Sequence, residues 1–270
     1  MSISTVPIGN VSISRLILGG NPFSGFSHQS PEADDRMRHY YTAARMKAEY
    51  RRAEDLGITT HIGRADHHVM RVLMEYWDEG GRIQWIAQTC PELGSPLQGV
   101  RNGVRGGAVA CFLHGGQMDY LVANNETAQA SEAVAAIHEA GLPAGVAGHT
   151  VRIFDWAEEN LDVDFYMCCY HNPTDRSKEA QHVPGSQETF CPEDRQAMVR
   201  RIATLSKPAI HYKVLAAGRT PAKEAFEFVA RHLRPQDAVC VGIYSEPKPD
   251  VLAEDLRLLT ASLQALGKQL

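Results

Sequence analysis

Short apolar runs recur along the chain, and most of them are followed by a longer stretch whose apolar positions have helical spacing. Runs of this length, bounded by glycine, proline or polar residues, are typical of buried strands in a parallel sheet. We therefore predict eight strands, in the segments SRLILGG, ITTHIG, RIQWIAQT, GAVACFLHG, PAGVAGH, DFYMCCYH, PAIHYKVL and AVCVGIYS.

The amphipathic stretches between these runs predict helices. Several of them begin at Thr, Pro or Asp and end at Gly, as helix starts and stops commonly do. Examples are YYTAARMKAEYRRAEDLG, ADHHVMRVLMEYWDEGG, PAKEAFEFVARHL and PDVLAEDLRLLTASLQALG. The segment PELGSPLQGVRNGVRGG, before the fourth strand, is a poor helix by this pattern, so we expect a loop there.

Eight strands alternating with helices over this length predict a (β/α)₈ barrel. No linker-like stretch divides the pattern, so we expect a single barrel domain over residues 1–270. The alternative is a doubly wound open sheet, which usually has a glycine-rich phosphate loop after its first strand. The segment LILGGNPFSGFSH has no GxGxxG motif and therefore favours the barrel.

Composition narrows the class of partner. The chain has 270 residues, 44% of them hydrophobic, and a formal net charge of −5 without a basic stripe. This charge argues against nucleic acid and against a membrane surface as partners and favours a small-molecule substrate. Without an apolar span or a targeting pattern at its start, the protein is expected to be cytoplasmic. Its six cysteines lack CxxC spacing and should be reduced, and a homo-oligomer is compatible with the sequence.

Polar residues at the carboxyl ends of the predicted strands should meet, because barrel enzymes build their sites there. In FYMCCYHNP, period-two alternation places Cys169 and His171 on one face and Cys168 on the other. Five strands carry a histidine at or near this end. The strand-end set is His61, Gln88, Glu92, His114, His149, Cys169, His171, His211, Lys213 and Glu246.

A divalent metal site is one interpretation of this set. His149, His171, His211 and Glu246 follow consecutive strands, and imidazoles with a carboxylate suit Zn²⁺ or a Mn²⁺-like ion. The alternative is that each residue is a hydrogen-bonded polar group in a sugar-sized pocket.

Three residues are predicted to transfer protons. Lys213 lies within an apolar strand two residues after His211, where burial would lower its pKa, although an ion pair with Glu246 is the plainer alternative. His114 ends the fourth strand. Asp66 follows the second strand and could act as a base, but an aspartate before a helix is more often its N-cap.

Residues expected to contact substrate come from the strand ends and from two loops. Cys169 could act as a thiolate or pack as an ordinary buried thiol. Long loops at residues 21–35 and 172–193 should cover the site, the first with Asn21, Phe23 and His28 and the second with His182 and Glu188. The predicted substrate contacts are His61, Arg64, His68, Gln88, Glu92, Cys169 and Arg219.

The order of several segments resembles successive blocks of the aldo-keto reductase superfamily. These segments are SRLILGGNPF, GITTHIGRADHH, LHGG, GVAGHTVRIFDWAEENLDVDFYMCCYHNP and VCVGIYSEPKPDVLAEDLRLL. The resemblance implies a barrel fold, but the family's catalytic tetrad of Asp, Tyr, Lys and His is not kept. Its Asp falls on Gly63, its Tyr on His68 and its Lys on Thr89 or nearby, and its His alone is matched, by His114. NADP is therefore an unlikely cofactor.

These observations lead to a functional hypothesis. We expect a metal-dependent or histidine-based lyase or isomerase that moves a proton next to the carbonyl of a hydroxylated compound, such as a sugar derivative. One alternative is a reductase that retains NADPH, with His114 donating to the substrate carbonyl. Another is a barrel without catalysis that binds a sugar or a partner protein.

Overall fold

The computed structural model describes residues 3–183 and 188–270, which form a β-hairpin followed by a closed barrel of eight parallel strands. All eight predicted strands are present. Each barrel strand pairs with the next along the chain, and the last pairs with the first. The hairpin strands are β1 Thr5–Ile8 and β2 Val11–Ser14, and the barrel strands are β3 Leu16–Gly19, β4 Thr60–Arg64, β5 Gln84–Gln88, β6 Ala110–Leu113, β7 Ala144–Gly148, β8 Phe165–Cys169, β9 Ala209–Tyr212 and β10 Ala238–Gly242.

Within the described part of the chain, ten helices surround the barrel and complete the (β/α)₈ architecture that the sequence predicts. No helix among the described residues has the length and apolar character needed to cross a bilayer. The helices are α1 Pro31–Tyr40, α2 Ala43–Asp55, α3 His67–Asp78, α4 Pro96–Arg105, α5 Gly115–Ala123, α6 Ala128–Glu139, α7 Val151–Asn160, α8 Pro192–Ile202, α9 Ala222–His232 and α10 Val251–Gln264.

Strand alternation divides the apolar core into two parts. On β8, Phe165 and Met167 fill the barrel interior, whereas Tyr166 and Cys168 pack in the layer between strands and helices. The prediction that Cys168 packs against the helices is therefore confirmed. A residue's parity along its strand thus decides whether it meets the barrel interior or the helices.

The N-terminal hairpin was not predicted from the sequence. β1 and β2 are antiparallel and joined at Gly9, whose φ of 52° suits glycine. Val6, Ile8 and Ile13 are buried in the same cluster as the residues that fill the barrel interior. The hairpin therefore covers the amino-terminal end of the barrel, and the carboxyl ends of the strands surround the opposite mouth.

The expected loop before the fourth strand is a helix, α4. Ser95 caps it by accepting a hydrogen bond from the backbone of Gln98, and Pro96 occupies its first turn. Its glycines allow close packing rather than disorder, because a Cβ on Gly103 would lie 2.7 Å from Sγ of Cys111. The glycines made the segment look like a poor helix former, but they allow the helix to pack closely against the barrel.

Two loop predictions are modified by the structure. The segment predicted as a loop at 21–35 contains a short 3₁₀ helix at Pro22–Ser24 and the first turn of α1. The loop predicted at 172–193 connects β8 to α8, and its residues 184–187 lie outside the described part of the chain. The described parts of both segments reach the mouth of the barrel.

Candidate functional site at the mouth of the barrel

The carboxyl ends of the strands surround an inner cavity of about 50 Å³, large enough for a small polar part of a ligand. Its floor is formed by the barrel-filling residues Phe112 and Met167. The principal polar residues of its wall are Arg64, Gln88, His114, His149, Arg176 and Lys213.

His149 follows β7 and is held by Asp119 of α5. Its Nδ1 lies 2.6 Å from Oδ2 of Asp119, and its backbone N–H donates to Oδ1 of Asp119 at 3.3 Å. A carboxylate beside Nδ1 fixes the proton there and leaves Nε2, 3.5 Å from the Tyr212 hydroxyl, to accept one. Burial lowers the pKa of His149 even though Asp119 raises it. His149 is therefore a neutral imidazole in a position to act as a base.

Lys213 reaches the cavity because the backbone changes conformation after β9. Its φ is 54°, which breaks the alternation of the strand and turns the side chain towards the mouth. Burial lowers the pKa of Lys213. The charges of the nearby carboxylates Glu188 and Asp119 raise this pKa, but neither carboxylate forms a hydrogen bond with the ammonium within the described residues. An ammonium with a lowered pKa is a stronger proton donor than an exposed lysine.

His114 precedes α5 and offers an open ring nitrogen. Its backbone N–H donates to Oγ1 of Thr89 at 2.9 Å, and Thr89 donates to Gln117, so the residue is firmly placed. Burial, together with the charge of His149, lowers the pKa of His114 well below its usual value. Within the described residues its buried Nδ1 has no hydrogen-bond partner. A ligand in the cavity could satisfy this atom.

Two arginines reach the cavity with different surroundings. Arg64 is balanced by Asp66, 2.9 Å from its Nε, and by Glu92, 3.1 Å from its terminal nitrogen. Arg176, in the loop after β8, is 6% exposed and donates to the neutral backbone oxygen of Gln181. The charge of Arg176 thus favours an anionic group on the ligand.

A second, outer cavity of about 330 Å³ adjoins the inner one. Arg64, Tyr212 and Lys213 line both cavities. The outer cavity continues towards β3 and β10, where Gly19 and Gly242 approach closely, because a Cβ on Gly19 would lie 3.0 Å from N of Gly242. A ligand larger than the inner cavity can extend into this space.

The two predicted covering loops meet at the mouth. Nδ1 of His28, from the first loop, lies 2.9 Å from Oε1 of Glu188, from the second. Nδ1 of His182 lies 3.6 Å from the same oxygen. Burial lowers the pKa of His28 to about 4. The hydrogen bond between His28 and Glu188 helps to lower the pKa of the Glu188 carboxyl to about 2. Uncharged imidazoles and an ionised carboxylate therefore share this cluster.

The structure brings six of the site residues predicted at or after strand ends to one cavity, together with Asn21, His28 and His182 from the two covering loops. Each of the six lies at or just beyond the carboxyl end of a strand, as expected for this fold. The six are Arg64, Gln88, Glu92, His114, His149 and Lys213.

The four residues predicted to hold a metal do not converge. His211 points into the helix layer, where its Nδ1 is 2.8 Å from the Tyr170 hydroxyl, because β9 places Tyr212 rather than His211 inside. Glu246 is exposed and accepts a hydrogen bond from the Tyr244 hydroxyl, and the described residues show no ion pair between it and Lys213. His171 packs on Phe190 with its Nδ1 3.2 Å from the Cys191 carbonyl oxygen.

Several predicted contacts also lie elsewhere. His61 has the wrong parity on β4 and bonds the Leu18 carbonyl oxygen at 3.0 Å beneath α2. Asp66 is the N-cap of α3, the plainer of its two interpretations, and His68 is exposed on that helix. Burial raises the pKa of Cys169 to about 11, so it is a protonated thiol.

Arg219, another predicted substrate contact, acts in the loops. It donates to the backbone oxygen of His28 at 2.9 Å and lies over the Phe190 ring at 4.2 Å. It therefore links the two covering loops instead of lining either cavity.

Sequence reasoning missed three residues of the inner site. Asp119 lies one helical turn into α5, Arg176 lies in an irregular loop, and Tyr212 was passed over in favour of its neighbours. Tyr212 could have been found, because it lies two residues after Ile210 and therefore faces the barrel interior with it. The sequence has no comparable pattern for a helix or loop residue that reaches a strand end.

No protein-family model matches the chain, and no curated protein is detectably similar to it in sequence. Solved structures are similar in fold. A Pseudomonas aeruginosa protein provisionally assigned as an aldo-keto reductase is 20% identical, with a TM-score of 0.62 and 96% of this chain and 95% of that one covered. A truncated 3-deoxy-D-arabino-heptulosonate 7-phosphate synthase from Thermotoga maritima is 13% identical, with a TM-score of 0.60 and coverage of 99% and 95%.

An N-acetylmannosamine-6-phosphate 2-epimerase from Clostridium perfringens is also similar in fold, at 14% identity, a TM-score of 0.52 and coverage of 89% and 92%. Identities this low show the fold alone. The predicted resemblance to aldo-keto reductases is confirmed at that level. At the tetrad positions the structure has Gly63 on β4, an exposed His68 and a buried Thr89, and His114 lines the cavity.

Proposed function

We propose that this protein is an acid/base lyase or isomerase that acts on an anionic, hydroxylated carbonyl compound. The observation that carries the proposal is that one cavity is lined by the neutral imidazole of His149, which Asp119 holds, and by the half-buried amine of Lys213. Burial lowers the pKa values of both groups, and ionisable groups with shifted pKa values that line one cavity are typical of proton-transfer sites. The side chains of His149 and Lys213 would serve as the base and the acid.

In the proposed reaction, Nε2 of His149 removes the proton from the carbon next to the carbonyl. The electrons of the broken C–H bond form a carbon–carbon double bond, and the carbonyl oxygen takes the negative charge. Arg176 and the Lys213 ammonium stabilise this enolate. Elimination follows when Lys213 protonates a hydroxyl on the adjacent carbon, so that the C–O bond breaks and water leaves. Delivery of a proton from Lys213 to the opposite face of the first carbon gives epimerisation instead.

The two cavities fit a substrate of sugar size. The inner cavity holds the reacting carbons near His149 and Lys213, while the outer cavity receives the remainder. Arg176 favours a carboxylate or phosphate on the substrate, because its guanidinium has a neutral acceptor as its structural partner. Sugar acids and sugar phosphates have these features.

A panel of such compounds in D₂O tests the proposal. Proton NMR should show the loss of an α-proton signal for at least one compound with the wild-type protein. Lys213→Met should lower this turnover by about 10²- to 10⁴-fold, whereas Lys178→Met, at an exposed lysine of the loop, should not. Binding across the panel without exchange or product would contradict the proposal and favour the non-catalytic barrel.

A reductase is the second candidate, favoured by the outer cavity beside Lys213 and by the fold shared with a provisionally assigned aldo-keto reductase. Titration with NADPH distinguishes the two. The acid/base proposal expects no NADPH consumption with any carbonyl compound of the panel. Saturable NADPH binding with substrate-dependent oxidation would establish the reductase instead.

A further inference from the structure

The cluster at the meeting point of the covering loops has the composition of a metal centre. Among residues 3–183 and 188–270, His28, His182 and Glu188 each offer one ligand atom, and these atoms lie within 4.8 Å of one another. Two imidazoles and one carboxylate form a common ligand set for zinc and for other first-row divalent metals.

The distances fit a bound ion after small movements. Ligand atoms at 2.0–2.1 Å from a tetrahedral zinc lie about 3.3 Å from each other. Oε1 of Glu188 is 2.9 Å from Nδ1 of His28 and 3.6 Å from Nδ1 of His182. Adjustments of a few tenths of an ångström would therefore bring these two pairs to the spacing that zinc requires, and the two imidazole ligand atoms, which lie within 4.8 Å of each other, would move with them.

One candidate ligand atom is buried without a hydrogen-bond partner among the described residues. Nδ1 of His182 has no hydrogen-bond partner within the described residues, although it faces the Glu188 carboxylate. A buried polar atom without a partner destabilises the fold. A metal ion between the three side chains would satisfy it.

The surroundings hold His28 in a constrained position. Its backbone is left-handed, with a φ of 56°, which is uncommon for a residue other than glycine. Its backbone oxygen accepts a hydrogen bond from Arg219, and its Nε2 lies 3.4 Å from Nδ2 of Asn21. When Nδ1 binds a metal, Nε2 carries the ring proton, so the Asn21 amide would have to turn its oxygen towards Nε2 to accept this proton and support the histidine.

We propose that His28, His182 and Glu188 bind a divalent first-row transition metal, with Zn²⁺ as the reference ion, and thereby join the two covering loops above the inner cavity. Three protein ligands leave a position for water or substrate. His28 and His182 both line the inner cavity, so this position can face it. Lys213 and Arg176 share the space as cations, which weakens binding, whereas the carboxylate of Glu188 counters them. The site is independent of the acid/base assignment, because it is defined by binding.

Titration of the full-length protein, without a histidine tag and after chelator treatment, tests this site. Co²⁺ should bind at one ion per chain with a visible spectrum of imidazole and carboxylate ligation, and Zn²⁺ should displace it. His28→Gln, His182→Gln and Glu188→Gln should each weaken binding by at least about 100-fold, the upper end of what the loss of an outer-shell partner costs. His39→Gln, at an exposed imidazole on α1, is the matched control and should bind as the wild type does.

Thermal unfolding provides a second measurement if one variant folds poorly. Zn²⁺ should raise the midpoint of the wild type and of His39→Gln but not that of Glu188→Gln. Equal Co²⁺ affinities for the wild type and the three site variants, or no stoichiometric binding by the wild type, would overturn the proposal. Loss of metal binding without loss of exchange in D₂O would leave the acid/base function standing.

Discussion

His149 and His211 each meet an aspartate and a tyrosine, but on opposite sides of the barrel wall. His149 lies inside, with Asp119 at 2.6 Å and the Tyr212 hydroxyl at 3.5 Å. His211 lies outside, with the Tyr170 hydroxyl at 2.8 Å and Asp237 at 3.3 Å.

The difference between the two groups is access to a cavity. His211 is 0% exposed, and both of its ring nitrogens have partners in the protein. His149 has one nitrogen fixed by Asp119 and the other directed to the lined cavity. The same residue types therefore stabilise the fold on one side of the wall and can transfer protons on the other.

Removing the charge of Asp119 should have the largest effect on the inner group. In Asp119→Asn the amide no longer fixes the proton on Nδ1, so turnover should fall by about 10³- to 10⁴-fold, as loss of such an orienting carboxylate does elsewhere. Because Asp119 raises the pKa of His149, the acidic limb of the remaining pH–rate profile should move to lower pH. An unchanged profile with nearly full turnover would contradict the role assigned to Asp119.

The outer group should respond through stability. Asp237 is fully buried and accepts hydrogen bonds from Arg234 at 2.9 Å and from the backbone of Ala209 at 2.8 Å. Asp237→Asn should lower the free energy of unfolding by about 3–5 kcal/mol, as breaking a buried ion pair commonly does. Urea denaturation measures this, with the exposed Asp78→Asn as control. A loss below about 1 kcal/mol would mean that the outer group behaves as a surface pair.

His61 shows what a buried imidazole does without a carboxylate. Burial lowers its folded pKa to about 4, whereas the unfolded value is about 6.5. Between pH 6.5 and 4, His61 binds a proton in the unfolded chain but not in the folded one. The free energy of unfolding therefore falls as the pH drops towards 4. Between pH 7.5 and 5 this contributes a loss of about 2 kcal/mol, which His61→Gln should remove. Equal pH slopes for the variant and the wild type would exclude this contribution.

Cys169 lies two residues after Met167 on β8, so strand alternation turns it towards the barrel interior, and a substitution there tests whether this position gives it a chemical role. Its pKa of about 11 keeps the thiol protonated, and the thiol is a poor nucleophile and metal ligand. Cys169→Ala should therefore change turnover by less than about threefold. A loss of turnover comparable with that of Lys213→Met would show that Cys169 takes part in the reaction.

Part of this comparison could be predicted from the sequence. The eight strands follow from their apolar runs, and His114 and His149, which were predicted at strand ends, both line the inner cavity. The strand pattern placed His211 and Lys213 on one face, whereas the left-handed backbone at Lys213 reverses the alternation there. No local pattern announces such a change of conformation in a residue other than glycine.

The remaining features depend on tertiary contacts. Asp119 reaches His149 from a helix, and His28, His182 and Glu188 meet from segments far apart in the chain. The hairpin under the barrel was not predicted because each of its strands buries only two residues, so neither forms a continuous apolar run. Side chains that meet through loops and helix packing have no fixed spacing in the sequence.

Deuterium uptake from D₂O into a substrate found in the panel tests the central claim most directly, by comparing His149→Gln with His211→Gln. Both variants would first be shown to fold by far-ultraviolet circular dichroism. We expect uptake to be abolished in His149→Gln and to continue in folded His211→Gln. Uptake that continues in His149→Gln, or that is lost only in His211→Gln, would contradict the placement of proton transfer in the inner cavity.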